Sequence, residues 1–252
     1  VSAGGSPLRN GDPAPARGTV PLTPDACPSW LRPLVDNVDH VPDAARRRLP
    51  ADVLAMITTK AASALTSVRG AAREAAVLVL FSGPESTLRH HAGQAAFPGG
   101  AADPTDDGPV ATALREAREE TGIDVSRLHP LATMEKMFIA PSQFHVVPVL
   151  AYSPDPGPVA VVNEAETALV ARVPLRAFIN PANRLMVYRG DLGRRWAGPA
   201  FLLNEMLVWG FTGQVISALL DVAGWAQPWD TSDQRELDAA MALVGERGDA
   251  LE

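Results

Sequence analysis

The chain has 252 residues, 46% hydrophobic and 20% charged, enough for a buried core of ordinary size, so disorder throughout is excluded. A formal net charge of −7 argues against a protein that gains affinity by neutralising a nucleic-acid backbone. The lone cysteine, Cys27, allows no internal disulfide or thiolate cluster, and no apolar run approaches the roughly 20 residues that span a bilayer, so the expectation is a cytoplasmic protein without nucleic-acid or membrane partners.

Residues 1 to 28 are rich in Pro, Gly and Ser, lack apolar periodicity and a signal-peptide core, and are expected to be a flexible extension in which Cys27 is incidental. From Trp30 to Leu54, Leu31, Leu34 and Val35 recur at helical spacing, which predicts one or two short helices, with Arg46-Arg47-Arg48 on a solvated face. The run Ala75 to Phe81 is continuously apolar and ends at Ser82-Gly83-Pro84, as a central strand would. An Asp-rich turn, Asp103 to Gly108, leads into a helix over Pro109 to Thr121, with Pro at its first position, Asp107 available to cap it and Gly122 to end it. Further strands are expected at Leu131–Phe138, Phe144–Tyr152, Ala168–Val173, Leu185–Tyr188 and Pro199–Leu203, and helices at Gly210–Ala223 and Ser232–Val244. Strands in the middle with helices flanking them, and no βαβ alternation, predict an α+β fold with a mixed sheet layered between helices.

The helix from Pro109 carries the chemistry. Glu116, Glu119 and Glu120 are spaced i, i+3 and i+4, so three carboxylates fall within about 100° on one helix face, beside an apolar stripe of Val110, Ala113, Leu114 and Ala117. Like charges so spaced disfavour a helix by roughly 0.2–0.5 kcal/mol per pair unless neutralised. A hard divalent cation such as Mg²⁺ or Mn²⁺, which prefers oxygen donors, would neutralise them; so would Arg115 and Arg118 on a plain solvent-facing helix.

The segment Arg115-Glu116-Ala117-Arg118-Glu119-Glu120-Thr121-Gly122-Ile123 resembles the second half of the Nudix box, which reads Gly, five residues, Glu, seven residues, then Arg-Glu-aliphatic-x-Glu-Glu-x-Gly-aliphatic. The first half departs from it: Asp107 stands where Glu is usual and Ala101 where Gly is usual, with Gly100 one residue upstream. Leu88-Arg89-His90-His91-Ala92-Gly93-Gln94-Ala95-Ala96-Phe97-Pro98-Gly99-Gly100 resembles the upstream signature of the coenzyme A pyrophosphatase branch, whose loop carries one extra residue and an Asp-rich turn. The resemblance spans roughly residues 50 to 225 and implies a Nudix α/β/α sandwich, with the domain expected over 29–228; it leaves unexplained the N-terminal extension and the C-terminal segment 229–252, which is expected to be a peripheral helix. It further implies metal binding by Glu116, Glu119 and Glu120, with Mg²⁺ or Mn²⁺ as cofactor and a small nucleotide of the coenzyme A class as substrate. Catalytic roles fall to Glu116, Glu119 and Glu166, the last as a metal ligand or general base unless it is only a solvated loop acid. Arg89 is a candidate for a substrate phosphate, Gly99 and Gly100 for a tight turn before the helix, Phe97 for an adenine stack or the core, and Arg115 for orienting the loop by pairing with a carboxylate. Ala101 and Ala102 stand where relatives often carry a basic residue. The implied reaction yields 3′,5′-ADP and 4′-phosphopantetheine or its acyl form. The alternatives are hydrolysis of another nucleoside diphosphate linked to some group X, and a binding module without catalysis; the assembly, monomer or homodimer, is left open.

Overall fold

In the computed structural model the described residues are 19–47, 73–83, 94–95, 97–139, 143–160, 162, 173–190, 196–203 and 206–248. Among them none forms a helix long and apolar enough to cross a membrane.

The chain enters through 3₁₀ turns at Pro24–Ala26 and Ser29–Leu31, then the short helices α1 (Arg32–Val35) and α2 (Val41–Arg47). β1 (Arg73–Ser82), β2 (Gln94–Ala95) and β3 (Gly99–Ala101) follow, then α3 (Pro109–Thr121) and the strands β4 (His129–Thr133), β5 (Met137–Ile139) and β6 (Phe144–Ser153). The remainder is β7 (Val173–Pro174), α4 (Leu175–Ile179), β8 (Arg184–Arg189), β9 (Trp196–Leu203), β10 (Met206–Val208), α5 (Gly210–Val222), β11 (Gln234–Glu236) and α6 (Leu237–Gly248).

The first sheet runs β3-β1-β6-β4, with β5 also on β6. β1 and β6 pair in parallel from Arg73↔Phe144 to Ser82↔Ser153, and the other pairings are antiparallel. The sheet is therefore mixed, as expected. β1 is continuously apolar from Ala75 to Phe81 because both of its faces are covered there. Ala76, Leu78 and Leu80, with Val149 and Ala151 of β6, pack against Val110, Ala113 and Ala117 of α3. On the opposite face Val79, Phe81, Leu150 and Tyr152 join a larger core containing α1, α2 and the buried side of α5. That layering is what holds α3 flat against the strands.

Several expectations are corrected. Residues 19–28 touch the fold at two points: both the amide and the hydroxyl of Thr23 donate to the Pro130 carbonyl, at 2.6 and 3.1 Å, and Cys27 is buried. Trp30 anchors this segment, its ring 6.0–6.3 Å from Phe81, Tyr152 and Trp225. The strand expected over Leu131–Phe138 is two strands, β4 and β5, because β6 changes partner between Val146 and Val149. A second sheet, β10-β9-β8-β11, was not anticipated. One of its faces gives Phe201 and Leu203 to the core beneath α5; the other gives Leu185, Val187, Ala200 and Leu202 to Leu237 and Ala240 of α6. The helix expected from Ser232 begins only at Leu237, after β11 has paired in parallel with β8. Arg46 lies on an exposed face as expected, 3.1 Å from Asp43 and 3.5 Å from Glu135. The part of the expected strand from Ala168 to Arg172 falls outside the described residues.

Candidate active site

α3 has the expected bounds, for the expected reasons at Pro109 and Gly122. Gly122 takes the left-handed conformation, φ 65°, and returns its N–H to the Arg118 carbonyl at 2.9 Å. The carbonyls of Glu120 and Thr121 are satisfied from outside the helix, by the amides of Val162 and Ala160, each at 3.1 Å. At the other end the capping residue is Gly108, φ 87°, with no side-chain cap, so Asp107 does not have the capping role read from the sequence. One oxygen of Asp107, Oδ2, is buried without a hydrogen-bond partner.

The centre of the acidic face is Arg115, whose five N–H donors are all engaged. Nε and Nη2 form a fork on Asp106, at 3.0 Å to Oδ1 and 2.9 Å to Oδ2, and Nη2 also donates to the Ala101 carbonyl at 2.9 Å. Nη1 donates to Glu116 Oε1 at 2.9 Å and to Glu119 Oε2 at 3.0 Å. The fork from Arg115 holds the Asp106 carboxyl down at about 2, against an ordinary 3.8, and Asp106 in turn raises the guanidinium still further above its usual value. Asp106 is itself fixed by the turn, since Oδ2 accepts the Asp103 amide at 2.9 Å while Asp103 Oδ1 takes both donors of Thr105. Counting along the box points to Asp107; the turn instead presents Asp106, nine residues before Arg115. The Asp-rich turn was the visible signal, but spacing alone did not select the residue.

Gly99 and Gly100 lie in β3, opposite Val77 and Ala76. A Cβ on Gly100 would fall 2.5 Å from Glu116 Oε1, so the strand has no room for a side chain where that carboxylate rests. A Cβ on Gly99 would meet the Ala76 carbonyl and lie 2.6 Å from Val77 Cγ1. The pair therefore serves close approach within a sheet, rather than the tight turn expected. Phe97 is partly buried against the larger core. Arg89 and Glu166, with His90 and His91, lie outside the described residues. Their neighbours are placed: Ala95 pairs with Val173, and Val162 is bonded to the end of α3.

Among the described residues no three His, Cys, Asp or Glu side chains are gathered as around a metal ion. Arg115 takes one oxygen from each of Glu116 and Glu119. The donor set nonetheless suits a hard divalent cation in its chemistry: carboxylate oxygens on one helix face, with backbone approach kept open at Gly100.

The family described as the NUDIX domain matches residues 59–189. The chain is 33% identical over 141 residues to the uncharacterized Nudix hydrolase NudL of Photorhabdus laumondii, covering 56% of this chain and 74% of that protein. It is 34% identical over 163 residues to the NudL of Yersinia pestis, covering 58% and 78%. Among solved structures, a MutT/nudix family protein from Enterococcus faecalis aligns with a TM-score of 0.34 at 16% identity, over 68% of this chain and 74% of that one.

Proposed function

This chain belongs to the Nudix family, and we propose that within it the molecule hydrolyses the pyrophosphate linkage of coenzyme A or an acyl derivative, with Mg²⁺ or Mn²⁺ as cofactor. Pyrophosphohydrolase activity goes with the family; the substrate is the finer step. The observation that carries it is the signature Leu88–Gly100 set directly before the acidic helix. Its last two residues lie in the strand against which Glu116 packs, which puts the end of the signature beside the acidic helix.

Glu116, Glu119 and Glu120 would hold the cation. When bound, it supplies positive charge at the anhydride oxygens and acidifies water. The chain's own groups do the remainder. Arg115 restrains Glu116 and Glu119 by one oxygen each, Oε1 of Glu116 and Oε2 of Glu119. Glu166 is the general base: it takes the proton as the water oxygen bonds to phosphorus, the anhydride P–O bond breaks, and the electron pair leaves on the departing phosphate. Arg89 binds the 3′-phosphate that distinguishes coenzyme A from simpler dinucleotides, a group that a guanidinium fork matches.

Incubation with coenzyme A and Mg²⁺ or Mn²⁺, followed by mass spectrometry, should yield 3′,5′-ADP and 4′-phosphopantetheine. Arg89→Ala should lower kcat/KM for coenzyme A by roughly 10- to 150-fold, the loss of one charge-assisted hydrogen bond, and leave ADP-ribose cleavage unchanged. Equal losses on both substrates would remove the 3′-phosphate assignment, and intact coenzyme A after prolonged incubation would remove the substrate.

A further inference from the structure

We propose that the strip of the first sheet beside the acidic helix is a phosphate subsite: Lys136 leaves Glu74 to hold an anhydride phosphate of the substrate, and the imidazole of His145 donates a second hydrogen bond to the same group. The proposal rests on the reading that a substrate with a pyrophosphate linkage lies against the acidic face of α3.

The strip follows from the alternation of side chains along strands. On β1, Ala76 and Leu78 pack beneath α3, so Glu74, two residues before Ala76, is on that same face. On β6, Val149 and Ala151 face α3, which puts His145 and Val147 there as well. Phe138 of β5 pairs with His145, and Lys136, two residues before Phe138, shares its side. Lys136 Nζ reaches Glu74 Oε1 at 3.2 Å, so this ion pair spans β6 on the face that α3 occupies further along. The helix stops short of it. Ala76 and Val149 are fully buried, whereas Val147 is partly exposed and the Glu74 and Lys136 side chains are 52% and 55% exposed. An ion pair so exposed adds little to the fold, and its partners exchange readily. The strip also adjoins the acidic face: Glu116 rests over Gly100, Gly100 pairs with Ala76, and Glu74 is the next residue on that side of β1, about 7 Å along the strand.

His145 supplies the second observation. It is 9% exposed, its ring lies 5.1 Å from that of Phe138, and among the described residues it makes no hydrogen bond. An imidazole carries a ring N–H in either protonation state, and a donor so buried is costly to leave without an acceptor. An anhydride phosphate offers oxygens to His145 and Lys136 at once, which Glu74, bonded to Lys136, does not. Glu74 is therefore the counter-ion that balances Lys136 until the substrate arrives, and a competitor for Lys136 once it has.

The test is isothermal titration calorimetry of the full chain with coenzyme A and with ADP-ribose, in EDTA to suppress turnover, with circular dichroism to confirm folding of each variant. Lys136→Met should weaken both ligands about 10-fold, the loss of one charge-assisted hydrogen bond, and His145→Leu about 2- to 10-fold. Glu74→Gln should tighten both about 2- to 5-fold, because the competitor for Lys136 is gone. Glu135→Gln removes an equal charge one residue from Lys136, on a side chain that faces Arg46 of α2, and should give a smaller gain. Unchanged affinity in Lys136→Met or in folded His145→Leu overturns the proposal. So does a gain in Glu135→Gln as large as that in Glu74→Gln, which would be an effect of net charge alone. Weakening for coenzyme A only also overturns it, since the 3′-phosphate would then be the group held. A wild-type chain that binds ADP-ribose but not coenzyme A removes the substrate proposed above and leaves the subsite to be judged on ADP-ribose; one that binds neither overturns the subsite. Should His145→Leu not fold, Lys136→Met and Glu74→Gln, at exposed positions, decide the matter by the same criteria.

Discussion

The two adjacent glycines of β3 should respond to the same substitution in opposite ways. In Gly100→Ala the new methyl would stand 2.5 Å from Glu116 Oε1, 2.6 Å from Cδ and 2.7 Å from Oε2, against an ordinary contact of 3.4 Å or more. All three atoms belong to the far end of one flexible side chain, so the clash is relieved by moving that carboxylate about 1 Å, with little cost to the fold. A displacement of about that size in a catalytic group can cost on the order of 100-fold in rate. In Gly99→Ala the methyl meets the Ala76 carbonyl and lies 2.7 Å from Val77 Cα, both backbone atoms of the central strand, which cannot step aside. Overpacking of that kind costs about 1–3 kcal/mol, and in a chain of this size each kcal/mol lowers Tm by about 2–4 °C. Thermal melts and turnover of the proposed substrate, coenzyme A, at a temperature where both variants are folded would test the contrast. Gly100→Ala should melt like wild type and turn over about 100-fold more slowly, and Gly99→Ala should melt several degrees lower. A Gly100→Ala enzyme with wild-type turnover would refute the placement of Glu116 as a working carboxylate.

Two further outcomes are expected. Because Asp106 is held at about 2 in the folded chain against 3.8 ordinarily, its contribution of about 2 kcal/mol is fully present above pH 4 and disappears as the pH falls toward 2. Urea unfolding at pH 6 and pH 2.5 should show the gap between wild type and Asp106→Asn shrinking to about a third at the lower pH, and a gap of undiminished size there would contradict the ion pair. Leu237→Ala, at a side chain 1% exposed between α6 and the second sheet, should destabilise by about 2–5 kcal/mol and leave kcat unchanged below the melting transition; a fall in kcat in folded protein would mean that this layer reaches the site.

The sequence was most informative where local chemistry decides the structure. Pro109 and Gly122 bound α3 whatever surrounds it, and β1 is apolar at successive positions because it is covered on both faces. Glu116 and Glu119 could be placed on one face by helical geometry alone. Pairing choices were hidden. β11 is the polar triplet Gln234-Arg235-Glu236, a strand only because β8 offers an edge, and Glu236 then accepts the amides of Asp238 and Ala239 at the start of α6. The split between β4 and β5 reflects competition for one edge of β6. Residues 19–28 read as a low-complexity tail because the partner of Thr23, Pro130, lies 107 positions away along the chain. Asp106 was hidden behind Asp107 for a related reason: counting assumes a loop of fixed length, whereas the acid that meets Arg115 is chosen by how the Asp103–Thr105 turn folds.

The parallel pairing of β1 with β6 has a consequence for how the molecule assembles. Partners in that pairing are about 70 residues apart, and β3, α3, β4 and β5 all lie within the loop it closes, so the contact forms late and at a high entropic cost. The floor on which α3 rests is shared, with Leu78 and Leu80 from one strand and Val149 and Ala151 from the other. A slip of one residue would bring Leu150 and Tyr152 beneath the helix and turn their neighbours to the opposite core. The acidic face is thus seated only once the two strands have found their register, and during refolding the return of hydrolysis should follow the closing of the central sheet, not the earlier appearance of helix.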